Sequence, residues 1–222
     1  MSAAVFWRDD TSDAPREGVV VVVCALTAAS FIEPTPRDLA EAPARDPARA
    51  RFFERRALTR GVVAARLGID PQSVTIGHAP SGAPVVLTPR GAPHVSISGR
   101  DDFCAVALAP CAVGVDIEPI NDAAEPAWNV LGDGERLALG ALVGGARAEA
   151  FLRLWTGKEA YLKALGEGLA REPREIEISL LNNAAFLVRD RGAPVSCVAE
   201  QRRIALGGRE FIASVVVLTG AP

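Results

Sequence analysis

The sequence has very little lysine. Of the 24 basic residues in this chain of 222, 22 are arginine and only two are lysine, Lys158 and Lys163. Arginine can replace lysine wherever any solvated cation is sufficient, so a position that keeps lysine indicates a need for a compact ammonium group. The two lysines lie five residues apart. The two lysines therefore indicate a candidate site, unless both were retained by chance in one helix.

Other shortages exclude several classes of protein. The net charge is −3, so the chain has no basic field for general nucleic-acid binding, and we expect no DNA partner. The longest apolar run, residues 18–30, is too short to cross a bilayer and follows no basic region. We therefore expect a soluble, cytoplasmic protein that does not bind membranes.

Cysteine and histidine are also scarce. The four cysteines form no CxxC pair, and Cys24 and Cys104 lie in apolar, strand-like runs. This pattern favours core thiols in a reducing compartment over metal or redox roles. The two histidines, His78 and His94, lack ligand spacing, which argues against a zinc site.

The apolar pattern predicts two units of similar design. A buried strand over Val19–Leu26 precedes an amphipathic helix from Ala48 to Gly68 and a series of short strands ending at Ala109. The order then repeats, with a strand from Ala112 to Glu118, a helix from about Ala146 to Leu165 that stops at Gly166, and strands to Leu218. We predict an α+β fold of two similar lobes, residues 1–110 and 111–222, with a cleft between them.

Three segments lack a regular pattern. The first dozen residues are polar, and residues 33–47 are rich in proline and acid, which predicts loops. Residues 121–145 predict a second irregular stretch. We expect these segments to connect the elements rather than to form them.

Two acidic residues end the strand that opens the second unit. Strand alternation places Gly114, Asp116 and Glu118 on one face. Carboxylates two residues apart lie about 7 Å from each other and repel unless water or a cation lies between them. Oxygen ligands of this kind indicate Mg²⁺ or Mn²⁺, although a solvated strand face would show the same pattern.

Both lysines belong to the helix of the second unit. Lys158 lies in the middle of its apolar stripe, so it either covers the core with its stem or meets an anion. Glu159 and Lys163 are four residues apart, in the order that favours a surface ion pair. A capping box with Thr156 as N-cap is an alternative, but the apolar period already begins at Phe151 and favours one continuous helix.

Together, these segments resemble the 4′-phosphopantetheinyl transferases of the two-lobed Sfp type. The resemblance rests on GVDIE at residues 114–118 and WTGKEAYLK at residues 155–163. It extends from Arg51 to about Leu218, because residues 81–84 and 95–98 also occur in the expected order. It implies a monomeric enzyme that transfers the phosphopantetheine arm of coenzyme A to a serine of an apo acyl or peptidyl carrier protein and releases adenosine 3′,5′-bisphosphate.

The resemblance also implies roles for individual residues. Asp116, Glu118 and Glu159 would bind Mg²⁺, or Mn²⁺, and Glu159 would be the general base, with Glu118 or a water on the metal as rivals. Lys163 would contact the pyrophosphate and stabilise the leaving group. The remaining expected contacts with coenzyme A are Ser98, Arg51, Arg56 and Lys158, although Lys158 would serve equally well as a packed stem.

The sequence departs from the family pattern at two positions. Ala83 stands where relatives have lysine, and Gly99 stands where they have histidine, and both missing side chains are expected at the nucleotide 3′-phosphate. We hypothesise that Arg100 replaces them, with Arg90 and the helix that carries Arg51 and Arg56 as further candidates. These losses also motivate an alternative function, a binding module for coenzyme A or a carrier protein that has lost activity. A pyrophosphohydrolase is a third possibility, but this sequence lacks the glutamate-rich helix signature of such enzymes.

The resemblance implies an acidic helical carrier as the protein partner. A basic rim would then be expected near the irregular segment, from Arg136, Arg147 or Arg153. Polyketide, nonribosomal-peptide and fatty-acid carriers all remain open.

Overall fold

The computed structural model describes residues 4–9, 17–26, 32–121, 125–166 and 171–220. The chain divides into two compact units, Met1–Ala112 and Val113–Pro222, so this boundary lies two residues beyond the one drawn from the sequence. Each unit combines helices with β-sheet, and the predicted α+β class is confirmed. No helix in the described ranges is long and apolar enough to span a membrane.

The N-terminal unit is built on one four-stranded sheet. Its strands are β1 (Val5–Arg8), β2 (Val19–Ala25), β5 (His94–Arg100) and β6 (Phe103–Ala109), and a separate hairpin is formed by β3 (Thr75–His78) and β4 (Pro84–Thr88). The order in the sheet is β1-β2-β6-β5, with β1 parallel to β2 and the other pairs antiparallel. The valines of β2 are buried on both faces, which explains their continuous apolar run.

One long helix, α2 (Ala48–Leu67), covers a face of this sheet. Its side chains Leu58 and Val62 share a core with alternate residues of the strands, among them Val22 and Val95. The helix ends where the sequence predicts, at Gly68.

In its described residues, the C-terminal unit contains two smaller antiparallel sheets and two α-helices. The strands β7 (Val113–Pro119), β11 (Cys197–Leu206) and β12 (Arg209–Leu218) form a sheet of order β11-β12-β7, and β8 (Ile176–Leu180), β9 (Phe186–Asp190) and β10 (Ala193–Pro194) form the other. The helices are α3 (Asp133–Gly140) and α4 (Gly144–Leu165). Leu154, Leu162 and other apolar side chains of α4 pack in a core with Ile178, Ile212 and Val216.

Helix α4 is continuous, as the apolar period predicts. It ends at Gly166, whose φ of 72° lies in the left-handed region that favours glycine. The capping-box alternative at Thr156 is wrong, because Thr156 lies in mid-helix and its hydroxyl donates to the carbonyl of Leu152 at 2.9 Å.

Four elements lie in segments that were expected to be irregular. The helix α1 (Pro36–Glu41) is stabilised by a capping box between Thr35 and Asp38, a local signal that was present in the sequence. Helix α3 and the 3-10 turn Trp128–Val130 occupy the segment after residue 121. The strand β1 lies in the polar N-terminal stretch, where it pairs with β2.

Candidate functional site

Gly114 brings β7 into direct contact with α4. A Cβ atom at this position would lie 1.8 Å from the carbonyl oxygen of Ala160 and 2.5 Å from the backbone nitrogen of Ala164. Only glycine permits this approach, because any side chain would push the helix from the strand. Asp116 follows two residues later on the same face. The glycine therefore sets the distance between the strand that bears the acids and the helix that bears the lysines.

Lys163 uses this proximity to pair with Asp116. Its Nζ atom lies 2.7 Å from Oδ1 of Asp116 and donates to the carbonyl of Val115 at 3.1 Å. The Asp116 side chain is 6% exposed and that of Lys163 is 27% exposed. The predicted surface pair with Glu159 is therefore replaced by a half-buried ion pair with the strand.

Glu159 completes a group of four interacting charges. Burial raises the pKa of its carboxyl, and so do the negative charges of Asp116 and, to a smaller extent, Glu118, while Lys163 opposes them. Its Oε1 atom is buried and has no hydrogen-bond partner among the residues that the structure describes. We refer to Asp116, Glu118, Glu159 and Lys163 as the acidic cluster, because Glu159 interacts electrostatically with the other three.

A buried polar network that sequence reasoning missed holds α4 against β11 and β12. The Thr156 hydroxyl lies 2.8 Å from that of Ser214, and Gln201 donates both to Ser214 at 2.8 Å and to the carbonyl of Arg153 at 2.9 Å. Ser214 is paired in register with Asp116. The network thus positions the helix relative to the acidic cluster. Ser214, the single polar residue in the otherwise apolar run of residues 211–218, was the available signal.

The acidic cluster suits a divalent cation by its chemistry. Carboxylate oxygens are the ligands that Mg²⁺ prefers, and Oε1 of Glu159 is a buried acceptor with no hydrogen-bond donor among the described residues. Within the described ranges, however, no three His, Cys, Asp or Glu side chains converge in ligand geometry. Lys163 supplies the positive charge beside Asp116, so the fit rests on donor type and burial and not on a preformed set of three ligands.

Lys158 lies on another face of α4 and has a structural role. Its side chain is 0% exposed, its ammonium lies 2.6 Å from Oε2 of Glu135, and it donates to the carbonyls of Val130, Pro173 and Ile176. Burial lowers the pKa of Lys158, and the partner Glu135 opposes this effect. The ammonium is enclosed by protein oxygens. The predicted contact of Lys158 with coenzyme A is therefore wrong, and Lys158 is an internal anchor.

A second cluster of charge surrounds a cavity in the N-terminal unit. The α2 cavity, as we call it, has a volume of about 790 Å³. Its lining includes three arginines of α2 and the side chains around them: Arg51, Phe52, Arg55, Arg56, His78, Pro84, Ile97, Asp101 and Asp102. It therefore contains two of the arginines predicted from the sequence, Arg51 and Arg56.

Those two arginines have acidic partners in the same unit. Arg51 pairs with Asp102 and lies 3.1 Å from Glu54. Arg56 is buried, pairs with Glu41 at 2.7 Å and lies over the ring of Phe52. Burial lowers the pKa of Arg56, while Glu41 opposes the shift.

Ser98 and Arg100 do not face the α2 cavity. Ile97 and Gly99 point toward α2, because Ile97 packs against the core that α2 shares with the sheet. Alternation along β5 then places Ser98 and Arg100 on the opposite face, where Ser98 is buried and Arg100 is exposed. The predicted coenzyme contacts of this unit are therefore divided between two faces of the sheet.

The comparisons with known proteins agree on one family. Residues 112–216 match the profile described as the 4′-phosphopantetheinyl transferase superfamily. The chain is 34% identical over 140 residues to 4′-phosphopantetheinyl transferase HetI of Nostoc sp., a match that covers 60% of this chain and 58% of that protein. It is 32% identical over 77 residues to 4′-phosphopantetheinyl transferase gsp of Aneurinibacillus migulanus, covering 34% of this chain and 32% of that protein.

Among solved structures, the chain is similar to a holo-(acyl-carrier-protein) synthase from Bacillus anthracis in complex with CoA (3′,5′-ADP). The identity is 22%, the TM-score is 0.33, and the match covers 49% of this chain and 96% of that one. Against the curated relatives, the chain spans little more than half of HetI, at 58% of its length, and a third of gsp, at 32%.

Proposed function

We propose that the chain is a 4′-phosphopantetheinyl transferase, because residues 112–216 match the profile of that superfamily. It would transfer the 4′-phosphopantetheine arm of coenzyme A to a serine of an apo acyl or peptidyl carrier protein. The acidic cluster is the observation that carries this proposal. Its four side chains come from β7 and α4, both inside the matched region. A module that only bound its ligand would not need an orphaned carboxylate beside a lysine.

The proposed reaction is a displacement at phosphorus. The serine oxygen attacks the phosphorus next to the pantetheine, the bond from that phosphorus to the bridging oxygen breaks, and adenosine 3′,5′-bisphosphate leaves. We assign Glu159 as the base that takes the serine proton, because its raised pKa and its orphaned Oε1 suit a proton acceptor. Lys163 would present its ammonium to the diphosphate and stabilise the charge that develops on the leaving phosphate.

The proposal includes Mg²⁺, or Mn²⁺, as the cofactor. Asp116, Glu118 and Glu159 would hold it, and the bound ion would neutralise charge on the diphosphate. Binding can be measured without activity, by calorimetric titration of the metal-free protein with Mg²⁺ in the presence and absence of coenzyme A. The substitution Glu159→Gln should weaken this binding, and a protein that takes up no Mg²⁺ under either condition would contradict the metal assignment.

An acidic carrier protein is the proposed macromolecular partner, and the three arginines expected at its contact surface differ in their surroundings. Arg136 and Arg147 each donate one guanidinium N–H to a nearby backbone carbonyl, of Leu131 and Leu142. Arg153 instead pairs with Glu149 and donates to Gln201 at 2.9 Å. We therefore keep Arg136 and Arg147 as carrier contacts and assign Arg153 to the internal network.

The cellular setting belongs to the same proposal. All four cysteines are free thiols, as expected in a reducing compartment. We propose that the protein acts as a monomer in the cytoplasm on polyketide, nonribosomal-peptide or fatty-acid carriers.

The experiment is to incubate the protein with an apo carrier protein, coenzyme A and Mg²⁺ and to weigh the carrier by mass spectrometry. The expected result is a gain of one phosphopantetheine on the carrier serine. No gain across carriers of the three pathways, with coenzyme A still bound, would favour the alternative of a binding module.

A further inference from the structure

The three arginines that line the α2 cavity differ in the charges around them. Arg51 and Arg56 are paired with acids. Arg55 makes no ion pair and no side-chain hydrogen bond with any residue in the described ranges, and its Nε atom is buried without an acceptor. Arg55 is thus the uncompensated cation of the cavity.

The guanidinium of Arg55 packs directly against Gly99. A Cβ atom at position 99 would lie 2.3 Å from Nε, 2.5 Å from Cζ and 2.7 Å from Nη2 of Arg55. These distances are shorter than van der Waals contact, so the guanidinium occupies the volume that any side chain at position 99 would need. The pairing joins α2 to β5 and is not visible as a sequence motif.

The cavity has the properties of a site for an anionic ligand with an apolar portion. An arginine that is partly removed from water needs an anion nearby. The volume of about 790 Å³ is that of a small-molecule site, and Phe52, Pro84 and Ile97 supply apolar wall. The guanidinium fork matches the geometry of a phosphate, which can accept two parallel N–H groups.

We propose that Arg55, resting on Gly99, binds the phosphate monoester of a nucleotide ligand in the α2 cavity. The assignment rests on the proposed function, in which that group is the 3′-phosphate of coenzyme A. Arg55 thereby replaces the two side chains that are missing at Ala83 and Gly99. It also takes the place of Arg100 in the earlier hypothesis, since Arg100 lies on the face of the sheet that points away from α2.

The test compares binding of coenzyme A with that of dephospho-coenzyme A, which lacks the monoester. Arg55→Gln should weaken coenzyme A binding by roughly 10- to 100-fold, the loss of one charge-assisted hydrogen bond, and should change dephospho-coenzyme A binding by less than about threefold. Arg49→Gln is the matched control, because Arg49 lies on the same helix over the ring of Phe53 and outside the cavity lining. Equal losses for both ligands, or a selective loss in Arg100→Gln instead, would overturn the proposal.

A second variant tests the role of the glycine. Gly99→Ala should displace the Arg55 guanidinium and reproduce its selective loss, and the double variant with Arg55→Gln should bind no more weakly than Arg55→Gln alone. Additive losses would show that the two residues act independently and would overturn the pairing. If the unsubstituted protein binds neither coenzyme A nor adenosine 3′,5′-bisphosphate, the proposed function fails; if it binds coenzyme A with no dependence on Arg55, only this inference fails.

Discussion

The two charged regions of the molecule are organised differently. In the C-terminal unit, the acidic cluster keeps the residue types expected from the family at all four positions. In the N-terminal unit, two expected side chains are absent, and an arginine on a different element fills the space left by one of them. Under the proposed roles, proton transfer and charge stabilisation at a reacting atom need particular atoms in particular places, whereas recognition of a phosphate needs only a cation that can reach it.

The two lysines make a similar contrast on a single helix. Lys158 is enclosed by Glu135 and three carbonyls, a shell of oxygen acceptors that suits an ammonium. Lys163 is partly exposed and pairs with Asp116. We expect both positions to require lysine, Lys158 for packing and Lys163 for its proposed contact with the substrate.

The largest expected effect comes from removing the proposed base. Glu159→Gln keeps the shape of the side chain but cannot accept the proton, so the rate of carrier modification should fall by about 10²- to 10⁴-fold. The rate is followed by the mass of the carrier over time. Glu172→Gln, at a glutamate whose side chain is 68% exposed, is the control and should retain full activity. A Glu159→Gln protein that keeps more than a tenth of the activity would move the base to Glu118.

The next effect sharpens the contrast between the lysines. Lys158→Met leaves Glu135 buried without its partner, so the free energy of unfolding should fall by about 3–5 kcal/mol. Urea denaturation measures this loss. The double variant with Glu135→Gln removes the uncompensated charge and should recover part of the stability. A loss below about 1 kcal/mol for Lys158→Met would contradict the anchor role.

A smaller effect compares how the acidic cluster and the α2 cavity tolerate an exchange between lysine and arginine. Lys163→Arg should lower the transfer rate by on the order of 10²-fold, because a guanidinium cannot follow the ammonium between Asp116 and the diphosphate. Arg51→Lys in the α2 cavity should change coenzyme A binding by less than about threefold. Comparable losses in the two variants would remove the distinction between the regions.

Local sequence signals were sufficient for the long elements. Both long helices end at the predicted glycines, Gly68 and Gly166, because a strong apolar period and a left-handed stop are both local. Strand alternation placed Asp116 and Glu118 on one face, but helical spacing predicted a surface pair between Glu159 and Lys163. The family resemblance joined the four residues, and the profile match supports that resemblance.

The missed features depend on contacts between distant residues. Helix α1 is short and gains support from Arg56 and Arg60, each 3.8 Å from Asp38. Helix α3 carries Glu135, whose partner Lys158 follows it by 23 residues. Arg55 could not be ranked above its neighbours, because an arginine-rich helix gives no local sign of which guanidinium lacks an acid.

The smallest expected effect is a dependence of stability on pH that belongs to the acidic cluster alone. The pKa of Glu159 is raised by burial and by Asp116. In the unfolded chain the pKa of a glutamate is about 4.3. At pH values between this and the higher pKa of the folded state, the native protein binds more protons than the unfolded chain. Its stability should therefore fall as pH rises through this window. Glu159→Gln should remove the fall, so that above the window the variant melts on the order of 2–4 °C higher than the unsubstituted protein without metal. Melting curves in a chelating buffer from pH 4 to 8 measure the effect, with Glu172→Gln again as the control. An unchanged slope in Glu159→Gln would show that the buried carboxyl carries no such cost, and the cluster would then resemble the α2 cavity in tolerating its charges without strain.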